Sequence, residues 1–169
     1  MIKHKTISEE HFFQSLVSEL NQQKETRTLS LMIHLFAEYW INEVITVLFK
    51  NPDFVFKNSF SNKINLLKAC GVIKEKTDLL KNIWIINQIR NDYAHNLFVD
   101  EIEKTTVDNI RNMVMLEVRY NNIGFASQLD AHSLFTARAI STIMELQNLY
   151  SKLKGLQRSN PIIPNAEQN

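Results

Sequence analysis

The amino-acid sequence predicts an all-α protein, and three observations carry that prediction. The 169-residue chain contains only three glycines and three prolines, whereas a sandwich or barrel needs a turn signal roughly every dozen residues. Apolar residues recur at spacings of three and four along most of the chain, as they do on one face of a helix. The length and the 44% hydrophobic content fit a single domain with a substantial core.

Charge and cysteine content narrow the class of protein. A net charge of +1 provides no global basic field, which argues against a DNA-coating protein but leaves room for a small basic cleft. Cys70 is the single cysteine, which fits a reducing compartment. The N-terminus lacks the apolar core of a signal peptide, and polar residues interrupt the most apolar stretch, Leu29 to Phe49. We therefore expect a soluble, cytoplasmic protein that does not enter the membrane.

The first two helices have clear start and stop signals. Ser8 is a good N-cap for a first helix that ends near Gln22, because acidic residues follow it in the first turn. The second and longest helix is predicted from about Thr26 to Lys50, where Pro52 prevents its continuation. The aromatic segment 54–56 is then expected as a loop covering the core.

The middle of the chain predicts two further helices. Ser59 or Ser61 caps a short helix that runs to Ala69, and Gly71 closes it in the left-handed conformation that glycine adopts easily. A fourth helix is predicted from about Lys74 to His95.

Two more helices complete a bundle of five or six. They are predicted at 104–119 and at about 131–156, and both have apolar residues at helical spacing. Polar composition and two prolines predict a disordered tail over 158–169, after a single domain of residues 1–157. The connections are predicted as a brief apolar return at 97–99 and a loop at 120–130.

The fourth helix carries the strongest functional signal, because its apolar run turns abruptly into a polar cluster. An apolar helix is buried, so it holds the polar groups at its end in a fixed place. His95 can transfer a proton at the 2'-hydroxyl or the leaving oxygen of RNA, and Arg90 can hold the scissile phosphate. This pair suggests metal-free cleavage of an RNA phosphodiester. The alternative is a surface arginine and a histidine that interacts with the C-terminal helix dipole.

Spacing constrains how Arg90 and His95 can work together. Positions five apart on a helix are rotated by about 140°, so the two side chains do not share a face, whereas Asn91 and His95 do. A working site therefore needs the helix to end before His95, or a second copy of the chain. Arg27 and His34 fit the same pattern, but His34 lies among apolar residues and we interpret that match as accidental.

A polar line on the second helix offers a partner for the cluster. His34, Glu38 and Asn42 repeat every four residues on an otherwise apolar helix. Burying that line unpaired would be costly, so it should face a cleft or a charged partner. We expect Arg90 to pair with Glu38, either in support of catalysis or as a structural ion pair.

Other residues leave two readings open. Tyr93 and Trp84 can stack on a base or pack in the core. Several lysines suit either phosphate contacts or a solvated surface, namely Lys63, Lys68, Lys74, Lys76 and Lys81. The chain has no glycine-rich phosphate loop and no close His/Cys spacing, so we expect neither a cofactor nor a metal.

The segment from Ile89 to His95 resembles the R-N-x-x-x-H signature of HEPN domains, an α-helical superfamily rich in ribonucleases. With Ser59–Ile64 and Gly71–Ile73, it is similar to the mannitol-operon-repressor-like branch of that group. The likeness covers Thr26 to about Asp100. It implies a HEPN-like bundle, a homodimer that brings two motif helices together, and a composite cleft with Arg and His from both subunits.

The matched positions imply a function. Arg90, Asn91 and His95 correspond to the catalytic residues of the signature, and Glu38 is our candidate for a glutamate that some HEPN nucleases carry on an upstream helix. The resemblance implies an endoribonuclease of toxin–antitoxin or anti-phage defence systems, with an antitoxin or defence protein as a possible partner. A non-catalytic transcriptional regulator or protein-binding module is the alternative, because many repressor-like members are regulatory. The tyrosine that follows the histidine in certain toxins is absent.

Overall fold

Helices form most of the computed structural model, which describes residues 9–95, 104–116 and 130–159. Within these ranges there is no strand, so the all-α prediction is confirmed. The helices, in chain order, are α1 (Glu9–Gln22), α2 (Thr26–Leu48), α3 (Asp53–Phe56), α4 (Phe60–Ala69), α5 (Asp78–His95), α6 (Lys104–Asn112) and α7 (Ala131–Ser159).

The single-turn helix α3 occupies the segment that was expected as a loop. Pro52 precedes it, and its carbonyl oxygen accepts hydrogen bonds from the backbone N–H groups of Val55 (2.8 Å) and Phe56 (3.2 Å). Proline suits this place because its fixed φ is close to the helical value and it has no N–H to leave unpaired. Val55 is buried and anchors the turn on the core, whereas Phe54 is 65% exposed and does not cover it.

Helix α2 is the centre of the bundle and packs mainly against α7 and α5, with α1 and α4 also in contact. One side of α2 is apolar and is removed from solvent by these neighbours, which is the main source of stability for a helix in a folded protein. The side chains of this buried face are Leu29, Ile33, Ala37, Trp40, Ile41, Val44 and Ile45.

His132 of α7 fixes the joint between α1 and α2. Its Nε2 lies 2.9 Å from the Gln23 carbonyl oxygen, and its Nδ1 lies 3.3 Å from the Thr26 hydroxyl. The Asp130 carboxylate caps the start of α7 by accepting a 2.7 Å hydrogen bond from the Ser133 backbone N–H. The two contacts together hold the sharp turn at 23–25 against the end of α7.

Helix α5 begins four residues later than predicted. Lys76 has a φ of 61° and therefore cannot belong to a right-handed helix. The Thr77 hydroxyl then accepts a hydrogen bond from the Leu80 N–H (3.4 Å), which caps the helix that starts at Asp78. Upstream, Ser59 caps α4 and Gly71 has a φ of 71°, both as predicted.

Helix α6 ends at Asn112 rather than at Arg119, because a distant side chain captures the backbone that follows. Asn82 of α5 accepts a hydrogen bond from the Val114 N–H (2.9 Å) and donates one to the Val114 carbonyl (2.7 Å). It also donates to the Thr142 hydroxyl of α7 (2.9 Å). An asparagine that pairs with both backbone groups of Val114 replaces the hydrogen bonds that a continued helix would need.

Several predictions fall partly or wholly outside the described residues. These are the Ser8 cap, the apolar return at 97–99, the loop at 120–130 apart from Asp130, and the tail from residue 160 onward. Helix α7 extends through Ser159, which is beyond the predicted end at 156 and two residues past the expected domain boundary.

Helix α2 is also the one helix in the described ranges that is long and apolar enough to pass a composition test for a membrane span. Its most apolar window has a mean hydropathy of 1.3, and 44% of that window is buried inside the bundle. A helix at the core of a soluble protein has the same properties, so α2 offers only weak support for a membrane span.

We expect Asn82→Ala to lower the free energy of unfolding by about 2–4 kcal/mol, because it leaves both backbone groups of Val114 without their partner in the interior. Urea denaturation measures this difference. Gln88→Ala, at an exposed position of the same helix, is the matched control and should change the free energy by less than about 0.5 kcal/mol. Equal effects of the two substitutions would contradict the role assigned to Asn82.

Candidate functional site

The predicted motif lies on the last two turns of α5, and α5 continues through His95. Arg90 and His95 are therefore rotated by about 140° from each other on a continuous helix. Arg90 is half buried and acts electrostatically on His34 of α2, whereas His95 is exposed. The structure does not bring these two side chains together within one protomer, so the option of a helix that ends before His95 is wrong.

Arg90 is the partly buried cation of the site. Its Nη1 donates a 3.0 Å hydrogen bond to Oδ1 of Asn91, the next residue of the motif. Its Nε is buried and has no hydrogen-bond partner in the part of the chain that the structure describes. A guanidinium carries five N–H donors and no acceptor, so the one bond to Asn91 does not exhaust the donors of Arg90.

His34 lies at the centre of the polar line on α2 and is almost completely buried, with 5% of its surface exposed. Its ring centroid is 4.3 Å from that of Phe60 on α4, and its side chain forms a hydrogen bond with Asn87 of α5. Asn87 in turn donates to the Ser61 hydroxyl at 3.5 Å. His34 thus sits where α2, α4 and α5 meet.

Glu38 pairs with Lys63 and not with Arg90, so the expected Glu38–Arg90 ion pair is wrong. The Lys63 Nζ lies 2.7 Å from the Glu38 Oε1, and the Lys63 side chain is only 3% exposed. Lys63 is therefore neither a surface lysine nor a direct phosphate contact. Helix α4 places this lysine against the polar line of α2, because Lys63 falls on the buried stripe of α4 between Phe60 and Leu67.

Burial lowers the pKa of His34 below its ordinary value of 6.5. The positive charges of Arg90 and Lys63 act in the same direction, while the Glu38 carboxylate and the hydrogen bond with Asn87 oppose them. The histidine is therefore neutral at neutral pH. This leaves three formal charges around it, namely one carboxylate and two cations.

Those charges make the site suited to an anion. Glu38 and Lys63 neutralise each other at 2.7 Å, and the charge of Arg90 remains without a carboxylate partner in the described ranges. A half-buried guanidinium with unused N–H groups fits a phosphate, which it can bind through two parallel hydrogen bonds. The cluster of His34, Glu38, Lys63, Asn87 and Arg90 is called the Arg90 cluster below.

The remaining predicted site residues lie at its edges. Asn91 is half buried and holds one guanidinium nitrogen of Arg90. Tyr93 is buried in the hydrophobic core, and Trp84 is half buried against that core, so neither ring is presented as a stacking platform for a base. Asn42, the last member of the polar line, has a buried Oδ1 without a hydrogen-bond partner in the described structure.

Sequence reasoning named Lys63 and His34 without their roles: Lys63 was left as either a phosphate contact or a surface lysine, and the match of His34 with Arg27 was interpreted as accidental. A usable signal existed for Lys63, because the buried positions of α4 are Phe60, Lys63, Ile64 and Leu67, at spacings of three and four. A lysine on such a stripe needs a buried carboxylate, and Glu38 was the available one. His34 was dismissed because its sequence neighbours are apolar, although its fourth neighbour along the helix is Glu38.

Two other features bear on what the site can hold. Among the described residues, no group of three or more His, Cys, Asp or Glu side chains is arranged to bind a metal ion. A cavity of about 670 Å³ lies at the joint of α1, α2 and α7, lined in part by Leu20, Thr26 and His132. None of its lining residues belongs to the Arg90 cluster, so the cavity and the predicted chemistry are in different places.

Comparison with known proteins adds no family to this description. No protein-family model matches the chain, and no curated protein or solved structure is significantly similar to it.

We expect the stability of the protein to fall as the pH drops through 6.5, the ordinary pKa of histidine. The folded protein keeps His34 neutral below that pH while the unfolded chain takes up a proton, so acid favours the unfolded state until His34 itself titrates. Urea denaturation across this pH range measures the effect. His34→Gln should flatten this part of the profile, and His11→Gln, at an exposed position of α1, should not. Parallel profiles for wild type and His34→Gln would contradict the assignment.

Proposed function

We propose that the chain is a HEPN-type, metal-independent endoribonuclease that acts as a homodimer on RNA, in toxin–antitoxin or anti-phage defence. The observation that carries the proposal is the state of Arg90. It is a half-buried cation whose Nε–H has no hydrogen-bond partner among the described residues, and Lys63 already neutralises the nearby carboxylate of Glu38. An arginine in that state suits the scissile phosphate of RNA. The likeness of residues 89–95 to the HEPN signature supports the choice of reaction and of biological role.

The proposed reaction uses the RNA's own 2'-hydroxyl as the nucleophile. His95 accepts the hydroxyl proton as the 2'-oxygen forms a bond to the adjacent phosphorus. Arg90 donates N–H groups to the phosphate oxygens and stabilises their added negative charge, while Asn91 orients the guanidinium through the 3.0 Å hydrogen bond. The bond from phosphorus to the 5'-oxygen breaks, and a protonated histidine gives its proton to that oxygen. The products are a 2',3'-cyclic phosphate and a 5'-hydroxyl.

Geometry supports a second copy of the chain in this reaction. Because α5 is helical through His95, the Arg90 and His95 of one protomer lie on different sides of the helix. Two motif helices placed against each other would bring His95 of one protomer to Arg90 of its partner. Each of the two sites would then contain one Arg90 and one His95, and the same histidine would accept the proton and return it to the leaving oxygen.

An exposed apolar pair on α2 offers a surface for that second copy. Leu31 and Leu35 are 46% and 55% exposed and lie one turn apart. Leu31 precedes Glu38 by seven residues, about two turns, so it lies on nearly the same face of α2 as the polar line. Large apolar side chains grouped beside a polar site are typical of interaction surfaces.

The same surface favours a second candidate function, a non-catalytic regulator or protein-binding module. In that case Leu31 and Leu35 bind a partner protein, and the motif holds the interface together without chemistry. An antitoxin or another defence-system protein would have the same use for this surface. The two functions differ in one measurable respect, which is whether RNA is cut.

We expect purified protein to cleave RNA in the presence of EDTA and to leave 2',3'-cyclic phosphate ends, which mass spectrometry of the fragments identifies. His95→Ala should lower the rate by roughly a hundredfold or more, the usual contribution of a general acid or base. His11→Ala, which removes another exposed histidine, should cleave like the wild type. Loss of activity in EDTA, or full activity of His95→Ala, would exclude this mechanism. A folded dimer that never cuts RNA would favour the binding module.

A subunit-mixing experiment tests whether Arg90 and His95 come from different protomers. Arg90→Ala and His95→Ala should each be inactive alone, and mixing them under conditions that allow subunit exchange should recover about a quarter of the wild-type rate. Half of the dimers are then mixed, and one of their two sites is intact. Light scattering and native mass spectrometry verify that dimers form and exchange. Exchange without recovery would contradict the shared site.

A further inference from the structure

We infer that Lys63 is a positioning residue for an anion site at Arg90: it holds the Glu38 carboxylate and thereby leaves the Arg90 guanidinium free to bind a phosphate. The inference rests on the proposed function only for naming a phosphodiester as the ligand. The arrangement of charges rests on the burial and the distances of the Arg90 cluster.

Two cations and one carboxylate surround His34. Lys63 of α4 lies 2.7 Å from Glu38 of α2. On α5, Asn87 lies one turn before Arg90 and 3.5 Å from Ser61 of α4. The three charged groups therefore lie where α2, α4 and α5 meet, and the charges of all three act on the His34 ring. A single carboxylate cannot neutralise both cations. Whichever cation it pairs with, the other remains available to a ligand.

Burial decides which cation takes the carboxylate. The Lys63 side chain is 3% exposed and has little access to water as an alternative partner, whereas Arg90 is only partly buried. Leaving a buried ammonium unpaired is far more costly than leaving a partly hydrated guanidinium unpaired. Glu38 therefore stays with Lys63 at 2.7 Å, and among the described residues Arg90 has only the neutral oxygen of Asn91 as a hydrogen-bond acceptor.

Removing the charge of Lys63 should reverse this selection. Glu38 is 28% exposed, so its carboxylate keeps contact with water when its partner is lost. Arg90 is then the other cation of the cluster, and a guanidinium pairs well with a carboxylate through two hydrogen bonds. Glu38 would occupy the donors that a phosphate needs. Lys63 thus governs anion binding without touching the anion.

A purely structural role for Lys63 makes a different prediction. If the ion pair only fastened α4 to α2, its loss would weaken binding through a general loss of order. Removing the charge of Glu38 as well would then not restore binding. The double variant Lys63→Met/Glu38→Gln separates the two cases, because it removes the competing carboxylate together with the lysine.

The test is a titration of the full-length protein with inorganic phosphate, monitored by NMR at the Arg90 Nε–H resonance. The Arg90→Lys variant assigns that resonance. Phosphate should shift this resonance in the wild type, and Lys63→Met should weaken binding by roughly tenfold or more, as expected when a charged hydrogen-bond partner competes. The double variant should return to within about twofold of the wild type, because no carboxylate then competes for Arg90. Lys68→Met is the matched control, since it breaks the outer ion pair of the same helix with Glu75 and should leave binding unchanged.

Several outcomes would overturn the inference. They are no phosphate binding at Arg90 in the wild type, wild-type affinity in Lys63→Met, or a double variant as weak as Lys63→Met. If Lys63→Met does not fold, Glu38→Gln carries the test, because the inference expects it to keep its phosphate affinity while Glu38 support of Arg90 would require a loss. Phosphate binding without RNA cleavage would sink the proposed enzyme and leave this inference standing. RNA cleavage by the wild type, combined with wild-type phosphate affinity in Lys63→Met, would support the proposed enzyme and overturn the inference about Lys63.

Discussion

The ion pair between the Lys63 ammonium and the Glu38 carboxylate constrains the whole region around the motif. It buries a charge inside the bundle and holds α4 against α2. It also keeps the Glu38 carboxylate from pairing with Arg90. His34 stays neutral partly because two cations surround it. The character of Arg90, a cation that is both positioned and available, therefore depends on a contact that Arg90 does not make.

Local signals predicted most of the fold and failed where a distant residue decided. Helical spacing and the caps at Ser59 and Gly71 located the helices, since such signals act within a few residues. The end of α6 was missed because Asn82, thirty-two positions away from Val114, captures its backbone. No pattern near residue 112 contains that information. The late start of α5 was missed for a smaller reason, the left-handed conformation of Lys76.

The sequence predicted most residues of the candidate site, but it did not predict which cation pairs with Glu38. Periodicity showed that His34, Glu38 and Asn42 share a face, but a periodic pattern does not say which helix lies opposite. Arg90 was chosen as the partner of Glu38 because it was the conspicuous cation, and Lys63 was expected at a phosphate or on the surface, where lysines usually are. Only the packing of α4 onto α2 decides between them. The separation of Arg90 from His95, in contrast, followed from helix geometry once α5 was known to continue through His95.

The central position of α2 also has a consequence for how the chain folds during synthesis. Its main partners are α5, which ends at residue 95, and α7, which begins at residue 131. The helices that carry the Arg90 cluster all leave the ribosome before α7 has been made. The cluster can therefore assemble while the other side of α2 is still bare, and that apolar side is exposed to aggregation until the last helix docks. We therefore expect chaperones to bind the nascent chain. The polar cluster forms before the hydrophobic core is closed.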